Sequence, residues 1–488
     1  MLNKYFLITV LIFVGQFSFA QKEKAAEITE ILCSDSLFGR GYVKDGVNKA
    51  ADYIASEFEK SGLEPYFEES YFQSFEFGVN TFPGKMSVVL NGKELIPGKD
   101  YIVHEMSGSY SGKLDLTYPI DSAVLKEHNL LRIALNEIES KDANAFFVDA
   151  RGTTPQKETE LVRNLIFLAK KAPVVITTGQ KFTWSVGRQK LNSPVIILKE
   201  EHVSEDMNLE VDIEAEYIKN FNSKNVVGYL PSGKKKAKTI VFTAHYDHLG
   251  GMGTEAYFPG ANDNASGTAM LISMADYFKE NPVDYNLMFI AFAGEEAGLL
   301  GSKYFVEQNS IKMKDIEFLL NLDIMGSGEK GITVVNGKQL KEPFEKLQEI
   351  NTEKNYLVKV KPRGETQNSD HHYFYKEGVP SFFIYTMGHN QHYHDVFDTH
   401  EELSFAAYDN IGSPKQNHKR LTCVVCITSL GRLHAHHCAI DNREKRVEVV
   451  SSRTVNYGKS SVDDLLTGTL ISIKKTNLND ELQQIDGS

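Results

Sequence analysis

Cysteine is scarce in this chain: four in 488 residues, at positions 33, 423, 426 and 438. A fold stapled by disulfides is therefore excluded, and stability has to come from an apolar core. Long apolar runs are missing too. Beyond the first twenty residues no stretch reaches the roughly eighteen apolar residues that a membrane helix needs, so no stable membrane insertion is expected. Nor is there an excess of basic charge. Lys plus Arg number 53 against 65 Asp plus Glu, a formal charge of −12, which argues against nucleic acid as a partner and against docking on an anionic bilayer. Internal repeats and low-complexity tracts are absent. What is present is ordinary globular composition, 41% hydrophobic and 11% aromatic, over a length that suggests about three domains.

The N-terminus reads as an export signal. Lys4 precedes an apolar run from Tyr5 to Phe17, and Ser18-Phe19-Ala20 supplies a small-x-small stop. Cleavage is expected before Gln21, which places the mature protein in the periplasm or outside the cell. The apolar run is too short to span a bilayer, and no cysteine follows it to carry a lipid.

The remainder divides by texture. Residues 21–78 open with helical spacing, clearest over Asp45–Ser61 with Gly62 closing it. Residues 79–221 turn to short β-rich runs (Met86–Leu90, Asn144–Val148, Pro173–Ile176, Pro194–Leu198), interrupted by one amphipathic helix near Glu158–Lys171. Over residues 222–411, apolar strands at Thr239–Ala244, Asn286–Phe292, Phe318–Leu322 and Ser381–Tyr385 alternate with helices at Thr268–Phe278 and Leu299–Gln308. Strands apolar on both faces and separated by helices predict an α/β fold with a mostly parallel central sheet flanked by helices. The Lys234–Lys236 run is read as a solvated turn.

Chemistry-bearing residues gather just past those strands. His245-Tyr246-Asp247-His248 follows the first, Gly294-Glu295-Glu296 the second, Asp323 the third, and the loop with His394 the fourth. A polar loop, Gly260-Ala261-Asn262-Asp263-Asn264-Ala265-Ser266-Gly267, precedes a helix. Open α/β sheets bind ligands at the carboxyl ends of their strands, which is where these groups fall. Imidazoles and carboxylates suit zinc or a similar divalent ion. Five ligands complete two sites only if one carboxylate bridges, and open positions mark a catalytic centre.

Taken in order, these segments resemble the secreted co-catalytic di-zinc aminopeptidase family, which is related to glutamate carboxypeptidase-like ectodomains. Asn321-Leu322-Asp323, Ser369-Asp370-His371, His394-Asp395-Val396-Phe397-Asp398-Thr399 and, near the N-terminus, Leu37-Phe38-Gly39-Arg40-Gly41 match it as well. The resemblance implies a zinc exopeptidase-like fold in which 79–221 is a protease-associated-like insert walling the cleft. It implies two Zn2+ ions per chain, with Asp263 bridging. His245 and Asp323 would complete one site, and Glu296 and His394 the other. Glu295 would be the general base that takes the water's proton and returns it to the leaving amine. Asp247 would fix the His245 imidazole. Asp398 would order the His394 loop or serve only as a turn residue. The substrates implied are peptides, cleaved at their N-terminal residue.

Other readings stay open: a carboxypeptidase or dipeptidase on the same centre, a one-zinc glutaminyl cyclase, or an inactive binding ectodomain. Retention of His245 and Asp323 speaks against the cyclase, and retention of all six positions against the inactive form. After Ser404–Ile411 the family pattern stops at Gly412-Ser413-Pro414. Residues 412–488 hold Cys423, Cys426 and a His434–Cys438 cluster whose spacing matches no zinc ribbon or finger. The segment reads as an aperiodic tail, and a shifted reading frame would give the same abrupt change.

Overall fold

The structure, a computed structural model, describes residues 22–114, 116, 119–120, 144–204, 207–408 and 411. The expected export signal and the tail from 412 onward lie outside the described residues. Among those described, no helix is long and apolar enough to cross a membrane.

The central sheet has nine strands: β1 (Glu64–Pro65), β2 (Phe72–Thr81), β3 (Glu216–Leu230), β4 (Thr239–His245), β5 (Asn286–Phe292), β6 (Ile316–Leu322), β7 (Ile332–Val335), β8 (Val360–Pro362) and β9 (Ser381–Thr386). Their spatial order is β1-β3-β5-β4-β6-β9-β7-β8, with β2 paired to β3. The middle is parallel, β4 pairing with both β5 and β6, and β6 with β9. Antiparallel pairs lie toward the edges. All seven residues of β4 are buried. Helices α1 (Gly46–Lys60), α2 (Ser266–Glu280), α3 (Leu300–Glu307), α4 (Lys341–Lys354) and α5 (His371–Lys376) accompany the sheet. Phe242 stacks between Phe278 of α2 and Phe289 of β5, at 5.7 and 5.2 Å. Each such side chain contributes about 1.5–3 kcal/mol by leaving water. The mixed α/β fold with a mostly parallel sheet is thus the one the alternation of apolar strands and helices predicts. The Lys234–Lys236 run is an exposed turn.

Between β2 and β3 the chain builds a lobe with one core of its own and a second that it shares with Leu249, Met252, Ala256 and Phe258. One sheet is largely parallel, in the order Tyr101–Val103, Val195–Lys199, Val174–Thr178, Phe146–Val148, Pro119–Ile120, with the helix Pro155–Leu165 against it. The other is antiparallel, with Met86–Leu90 and Tyr110–Leu114 both pairing with Leu209–Ile213. The sequence texture changes at 79 and 221, but both positions fall inside strands. β2 and β3 run on together as a ribbon, and Phe77, Val79 and Phe221 still pack in the main core. The pairing of this ribbon reaches Thr81 on one strand and Glu216 on the other.

Arg40, in the N-terminal signature, is fully buried. Its guanidinium donates to four backbone carbonyls: Tyr246 at 2.8 Å, Leu32 at 2.9 Å, and Pro259 and Gly260 at 2.6 Å each. It therefore ties the N-terminal segment to the loop that leads into Asp263. Arg40→Met would strand these carbonyls, each at about 1–3 kcal/mol. We expect urea unfolding to show at least about 3 kcal/mol lost, which only carbonyls rehydrated by a local opening would spare.

Candidate metal centre

Each site residue owes its place to a strand end or a pinned turn. His245 is the last residue of β4, Asp323 follows β6, and Glu295 and Glu296 follow β5 through Gly294. Gly294 sits at φ +71°, a conformation that side chains resist and that turns the chain sharply off the strand. The Asp263 loop is buried yet polar, and its side chains explain why. Asn264 donates to Leu322 O and accepts from Gly267 and Ile324 N–H. Asn262 accepts from Gly326 N–H, and Ser266 from Met325 N–H. These bonds sew the loop to the chain leaving β6. The Asp263–Asn264 peptide is cis.

The six residues expected at the centre come together. His245 Nε2 lies 3.2 Å from Asp263 Oδ1 and 3.4 Å from Asp323 Oδ1. His394 Nε2 lies 3.2 Å from Asp263 Oδ2 and 3.3 Å from Glu296 Oε2. Asp263 thus faces one imidazole with each oxygen, as a bridging carboxylate must. Glu295 joins His245 and Glu296 in a cluster whose donor atoms lie within 4.8 Å of one another. Both rings donate Nδ1–H to a backbone carbonyl, His245 to Asp247 at 3.1 Å and His394 to Trp184 at 2.8 Å. A carbonyl can only accept, so in the neutral ring Nδ1 carries the proton and Nε2 is the atom offered to a cation.

Supporting residues fix the carboxylates. Thr243 donates to Asn321, which donates to Ser369, whose hydroxyl donates to Asp323 Oδ2 at 3.0 Å. That leaves Asp323 Oδ1, buried, with no hydrogen-bond partner. His248, fully buried, meets Glu296 Oε1 at 2.8 Å and leaves Oε2 to the His394 side. Asp398 accepts from the Asn262 and Asp263 N–H groups and from Asn390, so it braces the Asp263 loop as well as its own.

Asp247 holds the His245 imidazole, as expected, but with its backbone. Its carboxylate is 3.8 Å from His245 Nδ1, and the imidazole is held by the Asp247 carbonyl instead. The carboxylate accepts from Tyr42 OH at 2.6 Å and from the Glu295 and Glu296 N–H groups at 3.2 and 3.3 Å. It therefore orients the turn that carries the two glutamates. Sequence reasoning missed Tyr42, His248 and Trp184. His248 stood in plain sight within the His-x-Asp-His segment, whereas the other two carried no local signal.

The electrostatics call for positive charge. Burial opposes protonation of both imidazoles, but Glu295 and Asp323 outweigh it at His245, and Glu296 and Asp263 raise His394 to about 11. The adjacent glutamates are driven apart. Burial, against the pull of His245, pushes Glu295 well above the carboxylate range, with Glu296, Asp370 and Asp323 adding to the rise. Burial also acts to raise Glu296, yet His394 and the bond from His248 take it down to about 2. Neighbouring carboxyls split in this way suit one proton carrier and one permanent anion. Asp370, fully buried, is pushed up to about 7 by burial, partly offset by His245. The buried Asp323 Oδ1 and His394 Nε2, neither hydrogen-bonded, together with the crowded carboxylates, fit a divalent cation such as zinc held by these groups.

Residues 225–415 match the family model described as Peptidase family M28. Aminopeptidase YwaD of Bacillus subtilis (strain 168) is 33% identical over 174 residues, 34% of this chain and 37% of that protein. A protein named "Probable leucine aminopeptidase" from Arthroderma otae is 31% identical over 187 residues, 35% of this chain and 50% of that protein. Alignments to these two curated relatives thus span between about a third and a half of their length. Among solved structures, the zinc aminopeptidase BSAP from Bacillus subtilis superposes with a TM-score of 0.58 at 20% identity, over 80% of this chain and 92% of that one. An aminopeptidase from Aneurinibacillus sp. strain AM-1 gives 0.54 at 22%, over 80% and 90%. At these identities the two structures speak for the fold alone.

Proposed function

From the match of residues 225–415 to the peptidase family M28 model, we propose that the chain is an exported aminopeptidase that uses two zinc ions to remove N-terminal residues from peptides. The observation that carries this reading is Asp263, with His245 on one oxygen and His394 on the other, each at 3.2 Å. Asp323 and Glu296 complete the two donor sets. The relatives named for aminopeptidase activity support the same reading.

Bound there, the two ions supply Lewis acidity to the scissile carbonyl and to a water. The residues do the rest. Glu295 accepts the water's proton as its oxygen adds to the carbonyl carbon. It then gives that proton to the amide nitrogen as the C–N bond breaks, so that the free amine leaves and a carboxylate remains. A carboxyl held above its ordinary range is suited to both halves of that transfer. Asp247 keeps Glu295 and Glu296 from exchanging places by gripping both of their N–H groups.

The test is a panel of free and N-blocked aminoacyl nitroanilides, with and without a chelator. Cleavage confined to free-amine substrates and abolished by the chelator is expected. Silence from protein shown to hold two metals per chain would instead favour carboxypeptidase or dipeptidase substrates. One ion per chain would favour the cyclase.

A further inference from the structure

The inserted lobe reaches into the metal centre. Trp184 exchanges two hydrogen bonds with His394: its N–H donates to His394 O at 3.0 Å, and its carbonyl accepts His394 Nδ1–H at 2.8 Å. Three residues earlier, Lys181 Nζ donates to Gln391 O and Tyr393 O at 2.7 Å each and lies 3.1 Å from Asp395 Oδ2. These contacts flank His394 on both sides. His394 itself is a non-glycine residue at φ +60°, a conformation that its surroundings have to impose. The Tyr393 ring stacks on the imidazole with centroids 3.9 Å apart.

The segment making these contacts is itself well anchored. Trp184 is buried, stacks on Phe258 at 4.7 Å and donates Nε1–H to Val103 O at 2.7 Å. Val103 belongs to the sheet of the lobe, and Phe258 to the hairpin strand Ala256–Phe258 just before the Asp263 loop. On the other side, Gly98 of the lobe packs so closely on Val396 that an added Cβ would stand 2.6 Å from Cγ1.

We propose that the inserted lobe is a working part of the second metal site. In this role the Lys181–Trp184 segment positions His394, fixes its tautomer, and so sets the affinity of the Glu296/His394 side without touching the His245/Asp323 side. The inference rests on the two-ion reading above and adds to it a function for the lobe. Lys181 is a positioning residue, acting through the loop it holds. Loss of a group that orients a ligating histidine typically weakens metal affinity about 10–100-fold.

The experiment is zinc titration of the metal-stripped full chain by calorimetry, on wild type, Lys181→Met and Lys181→Arg. Wild type is expected to take two ions. K181M should keep one at wild-type affinity and bind the other at least about tenfold more weakly, and K181R should recover most of the loss. The Lys181 side chain is 41% exposed, so the variant should fold. Trp184→Phe is the second probe: it releases Val103 O, keeps a ring against Phe258, and should weaken the same single site. Two ions bound by wild type and by both variants with equal affinity would overturn the inference alone. Fewer than two in wild type would overturn the two-ion reading and this inference with it.

Discussion

Glu295→Gln is expected to lower kcat by about 10²–10⁴-fold, the range for removing a positioned general base, while both ions stay bound. Gln keeps the length and planarity of the side chain, and the N–H of residue 295 still reaches Asp247, so the turn carrying Glu296 should hold its shape. The carboxylate does two jobs in the proposed cycle, and an amide can do neither at ordinary pH. Stopped assays on aminoacyl nitroanilides, paired with metal counting on the same preparation, separate the outcomes. Activity within tenfold of wild type would remove Glu295 from the mechanism. Loss of activity together with an ion would make it a ligand.

Asp263→Asn should be costlier still, because it strikes both sides at once. The carboxylate presents one oxygen toward each imidazole, and an amide has only one good acceptor to offer. Its NH2 group would face an imidazole lone pair and leave one side without its shared anion. We expect zinc to fall below two per chain and kcat/KM to drop by at least about 10³-fold, some 4 kcal/mol of transition-state stabilisation. By contrast, Asp398→Asn can still accept from the Asn262 and Asp263 N–H groups and should be far milder. If D263N kept two ions, the carboxylate would not be the shared ligand.

Much of this centre was legible because the central strands are apolar on both faces and each donor follows one within a few residues. Gly294-Glu295-Glu296 and Asp323 could be placed from the pattern alone, since a strand that ends must deliver the next residues to the sheet edge. The supporting shell was legible only in part. Asp247 is legible as a group that holds His245, which it does through its carbonyl, but the grip of its carboxylate on the Glu295-Glu296 turn is not, because spacing does not say where a side chain turns. Tyr42 lies some 200 residues from the Asp247 it bonds. Trp184 holds His394 through backbone atoms, so no side-chain pattern could reveal the contact. Composition marks the insert at 79 and 221, while the pairing of β2 with β3 runs on to residues 81 and 216, because the ribbon changes composition before its strands end.

The distance in sequence between His245 and His394 sets a clock on biosynthesis. Some 150 residues separate the first donor from the last, and Asp398, which braces the Asp263 loop, comes four residues later still. At about 5–20 residues per second, a ribosome needs roughly 8–30 s to cover that stretch. Until His394 has been made, Asp263 has an imidazole for only one of its two oxygens. If the centre forms as proposed, its second donor set is completed only once the segment carrying His394 has been made.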